Sequence, residues 1–171
     1  MKKFFVLILL YVFICVASSL TFVSCERPSE CIESAGATKI KDIPVEVFSK
    51  IKVYRGIEVV ITEGAETKVQ IQAGENFIND IEVKQYGNQL VFKDNSGCNW
   101  VRDYGQTKIF ITTPTLEEIY SKTDRDISSN GFLTFPNLNI ISFDIDADGE
   151  SGAGTGDFIL EINNNSLTIG N

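Results

Sequence analysis

The run Ile51-Lys52-Val53-Tyr54-Arg55-Gly56-Ile57-Glu58-Val59-Val60-Ile61, resumed after a Glu63-Gly64-Ala65-Glu66 break by Val69-Gln70-Ile71-Gln72-Ala73, decides the fold class. Ile51, Val53, Ile57, Val59, Ile61, Val69, Ile71 and Ala73 fall on odd positions, while Lys50, Lys52, Glu58, Thr62, Lys68, Gln70 and Gln72 take even ones. Successive side chains of a strand point to opposite faces, so this alternation predicts half-buried β-strands joined by turns. Further along, Ile81 and Val83 alternate again. Gly87-Asn88 stands where a two-residue hairpin turn belongs, ahead of Gln89-Leu90-Val91-Phe92-Lys93. Thr107 to Thr112 then puts Ile109 and Ile111 on one face. No window beyond the N-terminal segment carries a sustained helical period, so an all-β chain is expected.

From Thr107 to Asn171 the sequence repeats imperfectly with a period of about 22 residues. Pro114-Thr115-Leu116 with Ile119 aligns with Pro136-Asn137-Leu138 and Ile141, and the next step reaches Phe158-Ile159-Leu160. Asp124-Arg125-Asp126 maps onto Asp146-Ala147-Asp148, and Ser129-Asn130-Gly131 onto Ser151-Gly152-Ala153 as turns. Short repeats of this kind, with turn residues between apolar positions, suggest the coils of a β-solenoid, which bury their apolar faces by stacking.

On the N-terminal side, Lys2-Lys3 precede an unbroken apolar run from Phe4 to Ala17, with small residues before Cys25. That order reads as a signal peptide over residues 1–24. Thr21-Phe22-Val23-Ser24-Cys25 resembles a bacterial lipobox, in which Cys25 takes the lipid and becomes the first mature residue; Phe22 replaces the usual Leu. The alternative is an uncleaved anchor, since Phe4 to Val23 has about the length of a membrane span. Either reading tethers the remainder to a membrane outside the cytoplasm, with the outer membrane of the cell envelope as the expected place. Residues 25–44 are short of apolar side chains at their start and read as a tether, with the β domain beginning at Val45.

The formal net charge is −8, and losing the two signal lysines makes the body more acidic still. Such a body repels phosphate backbones, which argues against nucleic-acid partners. After Cys15 and Cys25 are assigned to the leader and the lipid, Cys31 and Cys98 remain, and an even pair in an exported chain is most simply a disulfide. Two free thiols in a reducing host are the alternative.

Histidine is absent, which removes Ser-His and Cys-His nucleophiles and the commonest zinc ligand. There is no P-loop, no dinucleotide fingerprint and no complete Gly-x-Ser-x-Gly elbow. Asp144-Ile145-Asp146-Ala147-Asp148-Gly149 matches the first half of a calcium loop, so Asp144, Asp146 and Asp148 are candidate Ca²⁺ ligands. The closing Glu position, however, falls on Thr155. Read without metal, the same stretch is a strand with Phe143, Ile145 and Ala147 inward. Asp124 and Asp126 point the same way on a strand, the arrangement a polysaccharide-acting β-helix enzyme would need beside a groove. Asp94 to Gln106 is the longest break in the alternation and holds Trp100, Arg102 and Tyr104, a recognition patch if they face solvent. The other reading folds these aromatics back over the sheet.

Phe48-Ser49-Lys50-Ile51-Lys52-Val53, Gly56 to Gly64, Gly74-Glu75-Asn76, Gly87-Asn88-Gln89-Leu90 and Thr112 to Ile119, in that order, resemble the family of the "putative auto-transporter adhesin, head GIN domain". The resemblance runs from Val45 to the C-terminus. It implies an exported lipoprotein of Bacteroidetes type and an all-β fold with a right-handed parallel β-helical portion. The expected architecture is therefore antiparallel strands leading into a short β-solenoid. Ser128-Ser129-Asn130-Gly131 and Gly154-Thr155-Gly156-Asp157 depart from the family's Ser-Gly-Ser-Gly-Asp turns, and relatives continue through further coils, so the chain reads as C-terminally shortened. Ser166-Leu167-Thr168-Ile169 alternates like a core strand with no Pro or Lys to guard it, so self-association through that edge is expected. The functional expectation is a non-enzymatic envelope lipoprotein presenting a surface to a glycan or envelope-protein ligand. A structural envelope lipoprotein without ligand, and a polysaccharide-acting enzyme, are the alternatives.

Overall fold

A computed structural model describes residues 34–96, 107–143, 149, 152 and 154–170. The strands are β1 (Thr38–Ile43), β2 (Lys50–Val53), β3 (Ile57–Glu63), β4 (Lys68–Gly74), β5 (Ile81–Tyr86) and β6 (Gln89–Asp94). They continue with β7 (Thr107–Thr113), β8 (Glu118–Ser121), β9 (Ile127–Leu133), β10 (Asn137–Ser142), β11 (Phe158–Ile162) and β12 (Ser166–Gly170). No helix occurs among the described residues. The strands form two six-stranded mixed sheets: sheet A in the order β1-β4-β7-β3-β9-β11, and sheet B in the order β12-β10-β8-β2-β6-β5. Neither closes into a barrel.

The odd positions of the opening run face the core as their alternation requires. Ile51, Val53, Ile57, Val59, Ile61 and Ile71 are completely buried, and Val69 and Ala73 nearly so. A core side chain of this size contributes about 1.5–3 kcal/mol on burial, so one slipped register would forfeit several such terms together. Both sheets contribute to one main cluster, with Ile51, Leu90 and Ile119 from sheet B meeting Ile57, Ile61 and Ile109 from sheet A. A smaller cluster of Ile71, Ala73, Ile78 and Ile81 lies toward the end of the sheets bounded by β1 and β5. Gly87-Asn88 makes the expected tight turn: Tyr86 pairs with Gln89, β5 runs antiparallel to β6, and Gly87 takes a φ of +58°, where a side chain would be strained.

The pairing of the N-terminal strands differs from expectation. β2 and β3 do not form an antiparallel lead-in; they occupy the interior of the sheets with parallel partners on both sides. Ile51 lies opposite Leu90 and Ile119, and Val59 opposite Ile109 and Ile127. The physical reason is that strands apolar on one face gain most where neighbours on both sides extend the same buried row. The antiparallel pairs are β1 with β4, β4 with β7, and β5 with β6, all toward one end. β1 itself falls within the stretch read as tether and is a strand along all of β4.

The repeat also has a different register. Ile119 lies opposite Ile140, not Ile141, because Ile119 and Ile140 are the inward residues and a one-residue slip would turn Ile141 into the core in place of Ile140. The partner of Leu138 is Leu167 of β12, whereas Phe158-Ile159-Leu160 belongs to β11 in the other sheet, beside β9. Ser129-Asn130-Gly131 is strand, not turn: it forms an irregularity in β9 between the Ser128–Ile159 and Phe132–Glu161 pairs. Gly131 permits it with a φ of +91°, and the Ser129 hydroxyl accepts from the Glu161 N–H at 2.8 Å where the ladder is interrupted.

Candidate functional site

Because Ile51, Val53, Leu90, Phe92, Ile119 and Ser121 point into the core, the residues between them must point out of sheet B. Register then decides which of these meet. Lys52 lies opposite Val91 on one side and Tyr120 on the other, and Tyr120 opposite Ile141. One step on, the Tyr54 N–H donates to the Phe92 carbonyl at 3.0 Å, Lys122 to Val53 at 2.8 Å, and Phe143 to Ser121 at 3.4 Å. These bonds extend the ladder past the strand ends and set Lys93, Tyr54, Lys122 and Phe143 beside one another.

The side chains of the two rows interlock. The Lys52 ammonium stands 5.1 Å from the centre of the Tyr54 ring and 4.9 Å from that of Tyr120. Lys93 and Lys122 approach the Tyr54 ring to 5.0 and 5.1 Å. Tyr120 and Phe143 are 6.4 Å apart at 47°, a tilted aromatic pair. Each ammonium–ring contact stabilises by about 0.5–2 kcal/mol, more when water is excluded, and Lys122 is fully buried. Three cations gathered about one ring make this a local positive site on an acidic chain.

The corner after β8 is held firmly. Thr123, fully buried, donates through Oγ1 to the Ile57 carbonyl at 2.8 Å and accepts from the Arg125 N–H at 3.1 Å. Asp124 Oδ1 accepts from the Gly56 N–H at 2.8 Å, and Arg55 lies 3.9 Å from Oδ2 of the same carboxylate. Asp124 therefore serves as a brace between the β2–β3 and β8–β9 corners. These bonds fix the backbone on either side of Lys122. Displaced pKa values occur elsewhere. Glu75 is held below the usual carboxylate range by its hydrogen bonds with Lys39 and with the Ala37 amide. Glu82 is lowered and Lys84 raised because they are hydrogen-bonded to each other, at 2.7 Å.

The candidates read from sequence, Cys25, Cys31, Cys98, Trp100, Arg102, Tyr104, Asp144, Asp146 and Asp148, lie outside the described residues. What borders them is described. The Trp100 segment is entered just after Lys93 and Asp94, and Asp94 ties its two ends by accepting from Ser96 Oγ at 2.6 Å and from Thr107 Oγ1 at 3.2 Å. The Asp144 segment begins after Phe143, which is 43% exposed and turned outward to Tyr120 instead of inward. Among the described residues no three acidic or Cys side chains gather as a metal site would require. Lys52, Tyr54, Lys93, Tyr120 and Lys122 escaped the sequence reading because even-position polar residues on a strand look like ordinary solvated ones. Their convergence depends on strands far apart in sequence.

An all-β body of two mixed sheets with an outward aromatic–lysine face places the protein among adhesin-like modules, and solved structures agree. It is similar to an adhesin from Bacteroides fragilis (27% identity, TM-score 0.56), over 78% of this chain and 55% of that one. It is also similar in fold to adhesins from Parabacteroides merdae (17% identity, TM-score 0.53; 64% of this chain, 46% of that one) and Parabacteroides distasonis (16%, 0.53; 62% and 44%). All three bear that description as "putative". The chain thus spans about half the length of the solved relatives it matches. Residues 47–171 match the model of the family described as "Putative auto-transporter adhesin, head GIN domain", and the chain belongs to that family. No curated protein sequence matches it.

Proposed function

We propose that the protein is a non-enzymatic, lipid-anchored envelope adhesin whose outer face on sheet B binds an acidic polysaccharide. The observation that carries this reading is the set of three lysines around Tyr54 and Tyr120. Ammonium groups complement carboxylates or sulfates, aromatic rings offer flat contact area of low entropy cost, and a rigid ladder holds both in place. The strand order further supports a solenoid description: β2–β3, β6–β7, β8–β9 and β10–β11 each give one strand to sheet B and one to sheet A, as flattened coils would. In that description the second coil stacks on the far side of the first, and the third and fourth build the other way. A right-handed winding follows from the family resemblance, and Cys25 carries the lipid that holds the body to the outer membrane.

The test is binding of the purified chain to an array of acidic and neutral glycans, with Lys52→Glu and Tyr120→Ala variants alongside. Binding to acidic members that both substitutions reduce by at least ~10-fold is expected, the loss of about one ion pair or one hot-spot contact. A flat array, or binding indifferent to both changes, would sink the reading. Metabolic labelling with a fatty acid, present in wild type and lost in Cys25→Ser, tests the anchor separately.

A further inference from the structure

We infer that two copies of this chain join end to end through β11 and β12, so that both sheets run on across the junction. The two sheets share one core, and their orders place β11 and β12 as outermost strands at the same end. In β12 the parallel register sets Leu167 beside Leu138 and Ile169 beside Ile140. Leu138 and Ile140 are 2% and 3% exposed, whereas Leu167 and Ile169 are 42% and 69% exposed. The core rows of sheet B thus continue into β12 without a neighbour to cover them. On the facing edge, Phe158, Leu160 and Ile162 pack against the main cluster and are only half-buried.

The opposite end is built to stay alone. Its edge strands carry Lys39, Lys41 and Asp42 in β1 and Glu82 and Lys84 in β5, and Phe77 and Ile78 close the space beyond β4. Charges along an edge discourage pairing with another strand. β11 and β12 together carry one charge, Glu161. On a chain of net charge −8, this is the edge at which two like-charged molecules meet with least repulsion.

A second copy is the occupant that the geometry favours. A single extended peptide can pair with one edge, but this end presents two edges separated by the thickness of the core. A two-fold axis normal to the sheets brings β12 against β12 and β11 against β11, each pair antiparallel, at a matching separation by construction. The contact is self-complementary and closes at two molecules. It is remote from the charged outer rows of sheet B near Lys93, so it stands or falls independently of glycan binding.

Sedimentation equilibrium of the full-length chain in a density-matched detergent tests the inference. Wild type is expected to be a dimer, and Leu167→Lys/Ile169→Lys a monomer with unchanged circular dichroism, since both side chains are already exposed. Lys84→Ala, at the opposite end, should leave the dimer intact. Should the double variant lose structure, Thr168→Glu on the same edge must give the same loss of dimer. A monomeric wild type, a dimer that survives these edge charges, or an open series of larger species would each overturn the proposal.

Discussion

Thr123 shows how one small polar residue can govern a corner. It has no exposed surface, and its hydroxyl both donates to Ile57 and accepts from Arg125, so it joins two chain segments that are 66 positions apart. Thr123→Val keeps the shape and removes both bonds, leaving a buried carbonyl and an amide unpaired. A loss of about 1–3 kcal/mol in urea unfolding is expected, with Thr123→Ser largely restoring it. Gly156 is constrained by approach instead of bonding: a Cβ there would lie 1.9 Å from the Arg125 carbonyl oxygen, with other backbone atoms of Arg125 also within 3 Å. Backbone cannot yield as a side-chain tip can. Gly156→Ala should lower stability by roughly 1–3 kcal/mol in the same measurement, whereas Gly87→Ala should meet no clash and suffer only the cost of its positive φ.

At the scale of elements, β1 and β8 represent opposite extremes. β1 is an edge strand whose side chains are almost all exposed, and Lys39 ties it to Glu75 at 2.8 Å, beside a backbone bond from Glu75 N–H to the Ala37 carbonyl at 2.9 Å. The Glu75 carboxyl titrates below its ordinary value in the folded state, through the Lys39 hydrogen bond first and the Ala37 amide second. A lowered folded value means that the tie is present above the ordinary carboxylate range and is lost as pH falls through the lowered value. Hydrogen-exchange protection of β1 amides should therefore decline between neutral pH and about pH 3 while β3 stays protected. In Glu75→Gln the decline should be absent, because protection is already reduced at neutral pH. β8, by contrast, is central, and its Ile119 is fully buried between Ile51 and Ile140. Ile119→Ala is expected to cost about 2–5 kcal/mol, read from the unfolding midpoint at constant slope.

The molecule as a whole is assembled from distant partners. β2 and β3 acquire their neighbours β8 and β9 from beyond two intervening coils' worth of chain, as the 68-residue separation of the Gly56–Asp124 bond illustrates. Loop closure over such lengths precedes any reward from contact, so refolding is expected on a scale of milliseconds to seconds or longer. Stopped-flow fluorescence that recovers the full native signal within about 100 microseconds would contradict this account of the topology. The same arrangement explains the aromatic–lysine face. Tyr54, Lys93 and Lys122 come from three different coils, and only their adjacent places in sheet B turn scattered residues into one site.

The sequence by itself determined the class of structure and the facing of nearly every residue from Ile51 to Ala73, because side-chain alternation is a local property that survives any choice of partner. It also determined the Gly87-Asn88 hairpin, whose turn chemistry is complete within four residues. The family was legible from the order of its motifs. Tertiary structure alone decided which strands are neighbours and in which direction they run. It set Ile119 against Ile140, moved Phe158-Ile159-Leu160 into the other sheet, and made β1 a strand on the strength of its pairing with β4. Those outcomes depend on how buried rows from remote segments match across the core, a comparison of long-range packing energies that no single stretch of sequence contains.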